Sequence, residues 1–208
     1  MSELALQLIS NNKMTRDLYL KLGNCGLIDV PEEVGELVWL KFVSFSDEES
    51  PYSTFKNRIT RLPSSFSRLK HLRELCLWGC SELDDLSPLV NLTALKILDI
   101  RNTKISDLTP LRSCEHLQVL RIRWTHAFDL TPLKYLSSLY ELDISETNAF
   151  DMTPLADLKN LRYLWISKFQ ELSLAPVLAS CHPSINIYID GNNQPFQNVI
   201  KSSNNTYV

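Results

Sequence analysis

The side chains that could hold a proton, a metal or a nucleophile are scattered along this chain. The four histidines are His71, His116, His126 and His182. A zinc site needs several such ligands converging, as two histidines do when one helical turn separates them. No such spacing occurs here. His71 and His116 hold the same place before a recurring leucine, where Asn160 also sits, so they read as turn residues. Among the five cysteines, Cys25, Cys76, Cys80, Cys114 and Cys181, there is no C-x-x-C pair. Their odd number, in a chain without an export signal, fits reduced cytosolic thiols. Cys25, Cys80 and Cys114 fall in apolar columns and read as core. Cys76 is expected to point outward, with nothing beside it to activate the thiol. Paired acids such as Asp84-Asp85 and Glu48-Glu49 read as solvated turns. No nucleophile, base and orienting group come together. The expectation is a non-enzymatic chain with no catalytic residues, no metal and no cofactor.

Composition narrows the classes further. The chain has 208 residues, 44% hydrophobic and 22% charged, with a net charge of -3. A nucleic-acid binder needs a basic face to displace counterions from phosphates, so that class is not expected. Gly contributes only 5 residues, too few for a phosphate cradle. No stretch approaches the roughly 20 apolar residues that span a bilayer. The opening, Met1 to Leu8, lacks a basic segment, and Gln7 interrupts its apolar run. A cytoplasmic chain that does not engage membranes is the expectation.

The elements announce themselves by repetition. Pro88, Pro110, Pro132, Pro154 and Pro176 recur at 22-residue intervals. Around them stand Asp85-Leu86-Ser87-Pro88-Leu89, Asp107-Leu108-Thr109-Pro110-Leu111, Asp129-Leu130-Thr131-Pro132-Leu133 and Asp151-Met152-Thr153-Pro154-Leu155. A weaker copy surrounds Pro176. Apolar columns keep the same period: Leu95, Leu117, Leu139 and Leu161; Leu98, Leu120, Leu142 and Leu164; Ile100, Ile122, Ile144 and Ile166. Thr103, Thr125 and Thr147 form a fourth column.

This pattern, L-x-x-L-x-I-x-x-T, resembles the leucine-rich repeat family. The N-terminal half matches a 23-residue variant through Leu20-Lys21-Leu22-Gly23-Asn24-Cys25-Gly26-Leu27, then Leu40, Val43 and Phe45, then Leu72, Leu75, Leu77 and Cys80. It looks like repeats in bacterial leucine-rich proteins, including those at the front of Roco GTPases. The later half looks like internalin-type repeats. The resemblance covers roughly residues 18 to 190 and implies an α/β solenoid: a horseshoe of about eight repeats with a parallel concave sheet and short 3-10 or helical turns on the convex side.

Elementary geometry supports the same architecture. Leu-x-Leu/Ile segments alternate with period 2, so they present one apolar face each and must stack to bury it. About six or seven apolar side chains per repeat contribute roughly 1.5–3 kcal/mol each before entropy is subtracted. Thr-Pro at 109, 131 and 153 suggests a hydroxyl cap opening a short turn. The Asp two residues earlier is expected to accept backbone N–H groups nearby. Residues 1–17 read as an N-terminal capping helix, with Ser2 as cap and Leu4, Leu8 and Ile9 inward. An acidic loop interrupts the repeats at about 46–58. Residues 191–208 form a polar tail, which leaves the last strand, Ile187-Tyr188-Ile189, without an evident cap.

Parity also sorts the outward residues of each strand. One column holds Tyr19, Phe42, Glu74, Ile97, Val119, Glu141, Tyr163 and Asn186. The next holds Lys21, Ser44, Cys76, Asp99, Arg121, Asp143, Trp165 and Tyr188. A third holds Trp78, Arg101, Arg123, Ser145, Ser167 and Asp190, with Trp124 and Glu146 one residue further. Trp, Tyr and Arg dominate binding hot spots, and solvent-facing aromatics gathered on one surface signal an interaction site. Asp99, Arg121 and Asp143 are expected to form a self-satisfying ladder. Arg101 and Arg123 are neighbours of like sign, a local conflict that points to function. The expected partner-binding set is Trp78, Arg101, Arg123, Trp124, Glu141, Glu146, Tyr163, Trp165 and Tyr188, receiving a protein partner with an acidic segment. A monomeric adaptor, inhibitor, immunity protein or effector is the leading expectation. The alternatives are the regulatory front of a Roco-type GTPase and a protein that self-assembles through its open last strand.

Overall fold

The computed structural model describes residues 2–46, 57–180 and 185–190. Among them eight short strands form one parallel sheet in chain order: β1 Tyr19–Lys21, β2 Phe42–Ser44, β3 Glu74–Cys76, β4 Ile97–Asp99, β5 Val119–Arg121, β6 Glu141–Asp143, β7 Tyr163–Ile166 and β8 Asn186–Ile189. The middle residues Leu20, Val43, Leu75, Leu98, Leu120, Leu142, Leu164 and Ile187 pair in unbroken register. Each is buried, because a three-residue strand can hide only the face its central side chain points to. Stacking those faces joins every repeat to one continuous core.

The chain returns over the convex side through 3-10 turns at Glu32–Glu36, Ser64–Arg68, Ser87–Leu89, Thr109–Ser113, Thr131–Tyr135, Thr153–Asp157 and Lys168–Ser173, then the helix α2, Ala175–Ser180. The expected hydroxyl caps are not what opens these turns. Thr109, Thr131 and Thr153 are already inside them, and their N–H groups donate 2.8 Å bonds to the Oδ1 atoms of Asp107, Asp129 and Asp151. A carboxylate accepts from the residue two ahead more readily than a hydroxyl does, so the aspartate, one residue before the cap position, takes the first N–H of each turn. Thr103, Thr125 and Thr147 are buried, and each hydroxyl donates to the carbonyl three residues back, of Ile100, Ile122 and Ile144. At Gly35 a Cβ would overlap Ser65 of the next turn, so only glycine permits that close approach.

The helix α1, Glu3–Thr15, closes the N-terminal end, with the Ser2 side chain accepting from the Ala5 N–H. Of the expected inward residues, Ile9 is buried and Leu8 packs against the core, but Leu4 is half exposed; Ala5 and Asn12 are buried instead. The i, i+4, i+7 row is the one that meets the sheet, because Asn12 must reach its edge. The Asn12 amide donates to the carbonyls of Asp17 and Tyr19 and accepts from the Trp39 indole. Most of the acidic loop, the whole polar tail, Cys181 and His182 lie outside the described residues.

Candidate functional site

Where the central residue of a strand is buried, its two neighbours face the hollow of the solenoid. At the C-terminal end these neighbours are aromatic. Trp165 and Tyr188, paired across β7 and β8, stack with ring centroids 4.9 Å apart and planes 11° apart. Tyr163 continues the stack at 6.1 Å, and Tyr140 meets Tyr163 edge-on at 5.2 Å. The result is a four-ring row from Tyr140 to Tyr188. Trp165, Tyr163 and Tyr188 are half-buried, so each ring keeps part of its surface to solvent. Tyr140 was not among the expected residues, because it precedes the strand and parity assigns it no side. The opposite end of the same face has a second, smaller pair: Tyr19 and Phe42 stack at 4.2 Å beside a hollow of about 360 Å³.

Between the two ends lies a charged band, and here the expected pairings are corrected. Asp99, Arg121 and Asp143 are register neighbours, but they do not form the expected ladder. Arg121 reaches diagonally to Glu141, Nη2 to Oε1 at 2.7 Å. Asp99, which is buried, is held by Arg101 through both carboxylate oxygens, the shortest contact being 2.6 Å. That bond is the main reason the Arg101 guanidinium is held even more firmly charged than usual. Asp143 accepts the Ser145 N–H and hydroxyl instead.

The expected conflict between Arg101 and Arg123 is relieved as well. Arg123 extends past Ser145 and Ser167 to the Asp190 carboxylate at 3.3 Å. Both serines are buried, and their small size leaves the path open. The two guanidinium groups also lie over indoles, Arg101 over Trp78 at 4.5 Å and Arg123 over Trp124 at 4.3 Å. Each arginine therefore already has an anion and an aromatic face. Within this band the acids that form no ion pair among the described residues are Glu74, Asp143 and Glu146. The Glu146 carboxylate accepts from the Ser167 hydroxyl.

The expected set thus falls into two groups. Tyr163, Trp165 and Tyr188 form one continuous surface. Trp78, Arg101, Arg123, Trp124 and Glu141 belong to cation–π and ion pairs. Glu146 is exposed and belongs to neither. Trp124 is 49% exposed in a left-handed backbone conformation, φ 57°. Gly79 and Asn102 take that conformation at the matching turns, and Glu146 does so in the next repeat. Of the cysteines, Cys25, Cys80 and Cys114 are buried and Cys76 is half-buried. Burial pushes the Cys114 thiol up to about 11. No group of three metal-ligating side chains converges among the described residues, and no described helix is long and apolar enough to cross a membrane.

A family model described as a leucine-rich repeat region matches residues 4–185. The chain belongs to the leucine-rich repeat family. Solved structures that share the fold of this leucine-rich repeat protein include bacterial ones. An internalin (InlF) from Listeria monocytogenes strain 4b F2365 has a TM-score of 0.65 and 24% identity over 80% of this chain and 47% of its own. Internalin C2 from the same strain scores 0.66 at 20% identity, over 90% and 93%. The leucine-rich repeat domain of the type III effector XCV3220 (XopL) scores 0.64 at 19% identity, over 90% and 81%. This chain thus spans about half the length of the InlF chain. No curated protein matches the sequence.

Proposed function

We propose that this leucine-rich repeat protein is a protein-binding module that holds its partner in the concave face. The observation that carries the reading is the four-ring row of Tyr140, Tyr163, Trp165 and Tyr188. Rigid aromatic side chains bury large areas at little entropic cost, and a stacked row aligns them before the partner arrives. The aromatic end is the anchor for apolar side chains of the partner. The charged band sets orientation. With Arg101, Arg121 and Arg123 each tied to an acid, the free charge of the band is that of Glu74, Asp143 and Glu146. A partner carrying Lys or Arg beside its apolar anchor fits this band better than an acidic segment does.

Capture of the partner by the intact chain, repeated with W165A and Y188A, tests the reading. Loss of a central aromatic anchor costs at least about 2 kcal/mol, or roughly thirtyfold in affinity. The melting temperature should fall by only a few degrees, because the rings stand outside the leucine core. Undiminished capture by the double variant removes the concave face as the binding surface.

A further inference from the structure

Along the edge where the chain leaves the strands, one row of side chains changes character. Asp84 and Ser106 hold the position in the third and fourth repeats; Phe128 and Phe150 hold it in the next two. Phe128 is 64% and Phe150 62% exposed. In the seventh repeat Phe169 comes up beside Phe150, with ring centroids 5.5 Å apart, and Leu172 follows almost fully exposed. These rings are not displaced core residues, because the inward place beside them is filled by buried Ala127 and Ala149. The adjoining row is acidic from the third repeat to the sixth, Asp85, Asp107, Asp129 and Asp151, and turns to Ser173 in the seventh; none of the four aspartates is in an ion pair among the described residues. Bonds from Thr131 and Thr153 hold the Asp129 and Asp151 carboxyls below the usual range, so both are charged at neutral pH.

We propose that this edge is a second docking surface, for a basic amphipathic helix of a partner protein. The apolar face of the helix lies on Phe128, Phe150 and Phe169, with its Lys or Arg side chains over the aspartate row. Three observations choose this occupant. Equivalent positions of successive repeats, such as Phe128 and Phe150, recur at the strand spacing of about 4.8 Å, which matches the spacing of apolar residues three and four apart on a helix, about 4.5 and 6 Å, and Phe169 extends the apolar strip with its ring 5.5 Å from that of Phe150. The apolar row is bounded by buried Ala127 and Ala149 on one side and by the aspartates on the other, so it offers a single strip of the kind an amphipathic helix covers. The unbroken line of aspartates selects basic charge, and it opposes a second copy of the same edge. This surface is independent of the concave aromatic row.

The probe is a synthetic helix of about 14 residues with Leu at one face and Lys flanking it, beside a control with Glu in place of Lys. Fluorescence anisotropy against the full chain should show saturable binding of the Lys peptide alone. F128S/F150S should weaken it at least about tenfold, D129N/D151N should weaken it and flatten its salt dependence, and W165A should leave it unchanged. Circular dichroism on each variant verifies the fold. The proposal is overturned if the Lys peptide does not bind, if the Glu peptide binds equally, or if F128S/F150S leaves binding intact. Light scattering that finds a dimer which F128S/F150S dissociates assigns the edge to a second copy and overturns it. So does peptide binding that appears only after Phe196 and Ile200 are changed to Ser, which assigns the edge to the chain's own tail.

Discussion

Trp124 occupies a left-handed turn that its counterparts Gly79 and Asn102 adopt more cheaply. For a bulky L-residue this conformation costs about 1–2 kcal/mol. The Arg123 guanidinium over its ring returns part of that, roughly 0.5–1 kcal/mol. W124N should therefore melt at the same temperature as the parent or slightly higher, yet weaken partner capture. A clear drop in melting temperature would show that the indole is there for packing. Asp143 gives a second test at this scale. Burial raises its carboxyl above the ordinary value of 3.8, against the opposing bonds from Ser145 and the charges of Arg123 and Arg101. A raised acid penalises the folded state while ionised, and the penalty vanishes as pH falls through the raised value toward 3.8. D143N should match or exceed the parent in stability at about pH 7 and lose that advantage on acidification. An unchanged difference across the range would refute the burial argument. Much of this scale was hidden in the sequence. Parity places Arg101, Arg121 and Arg123 on the inner face, but each arginine is long enough to choose among acids on several strands. That choice depends on curvature and on small neighbours such as Ser145 and Ser167.

The elements were more legible, because their signals are local. A period of 2 within a strand, with steps of 22 or 23 residues between strands and one longer step of 32 across the acidic insertion, places all eight strands. The cap was misassigned, since Asp and Thr both accept N–H bonds and only geometry separates them. Arg123 and Asp190 act at this level by fastening β8 across β6 and β7. Among the described residues β8 has a strand neighbour on one side alone. R123M should speed hydrogen exchange in Ile187–Ile189 selectively, with a global loss of about 1 kcal/mol or less. Uniformly faster exchange would mean that the pair supports the whole solenoid. At the other end G35A forces the first two convex turns apart and should cost about 1–3 kcal/mol, read by denaturant unfolding. Parent-like stability would show that the turns can move apart freely.

Across the whole molecule the core is one cluster of stacked apolar columns, mostly leucine, each residue sharing its neighbours with the repeats before and after. L142A, in the sixth repeat, should cost about 2–5 kcal/mol, and because contacts are nearest-neighbour the loss should spread little beyond adjoining repeats. Hydrogen exchange by segment reads that spread. The unbroken register has a further consequence. Removing the 22 residues Leu86–Asp107 would bring β3 against β5 without altering either aromatic end. The inner face is in effect a ruler, graduated in units of about 4.8 Å. A ligand that grips both Tyr19 and Trp165 measures their separation, so gain or loss of a whole repeat retunes selectivity by length while every gripping residue stays the same.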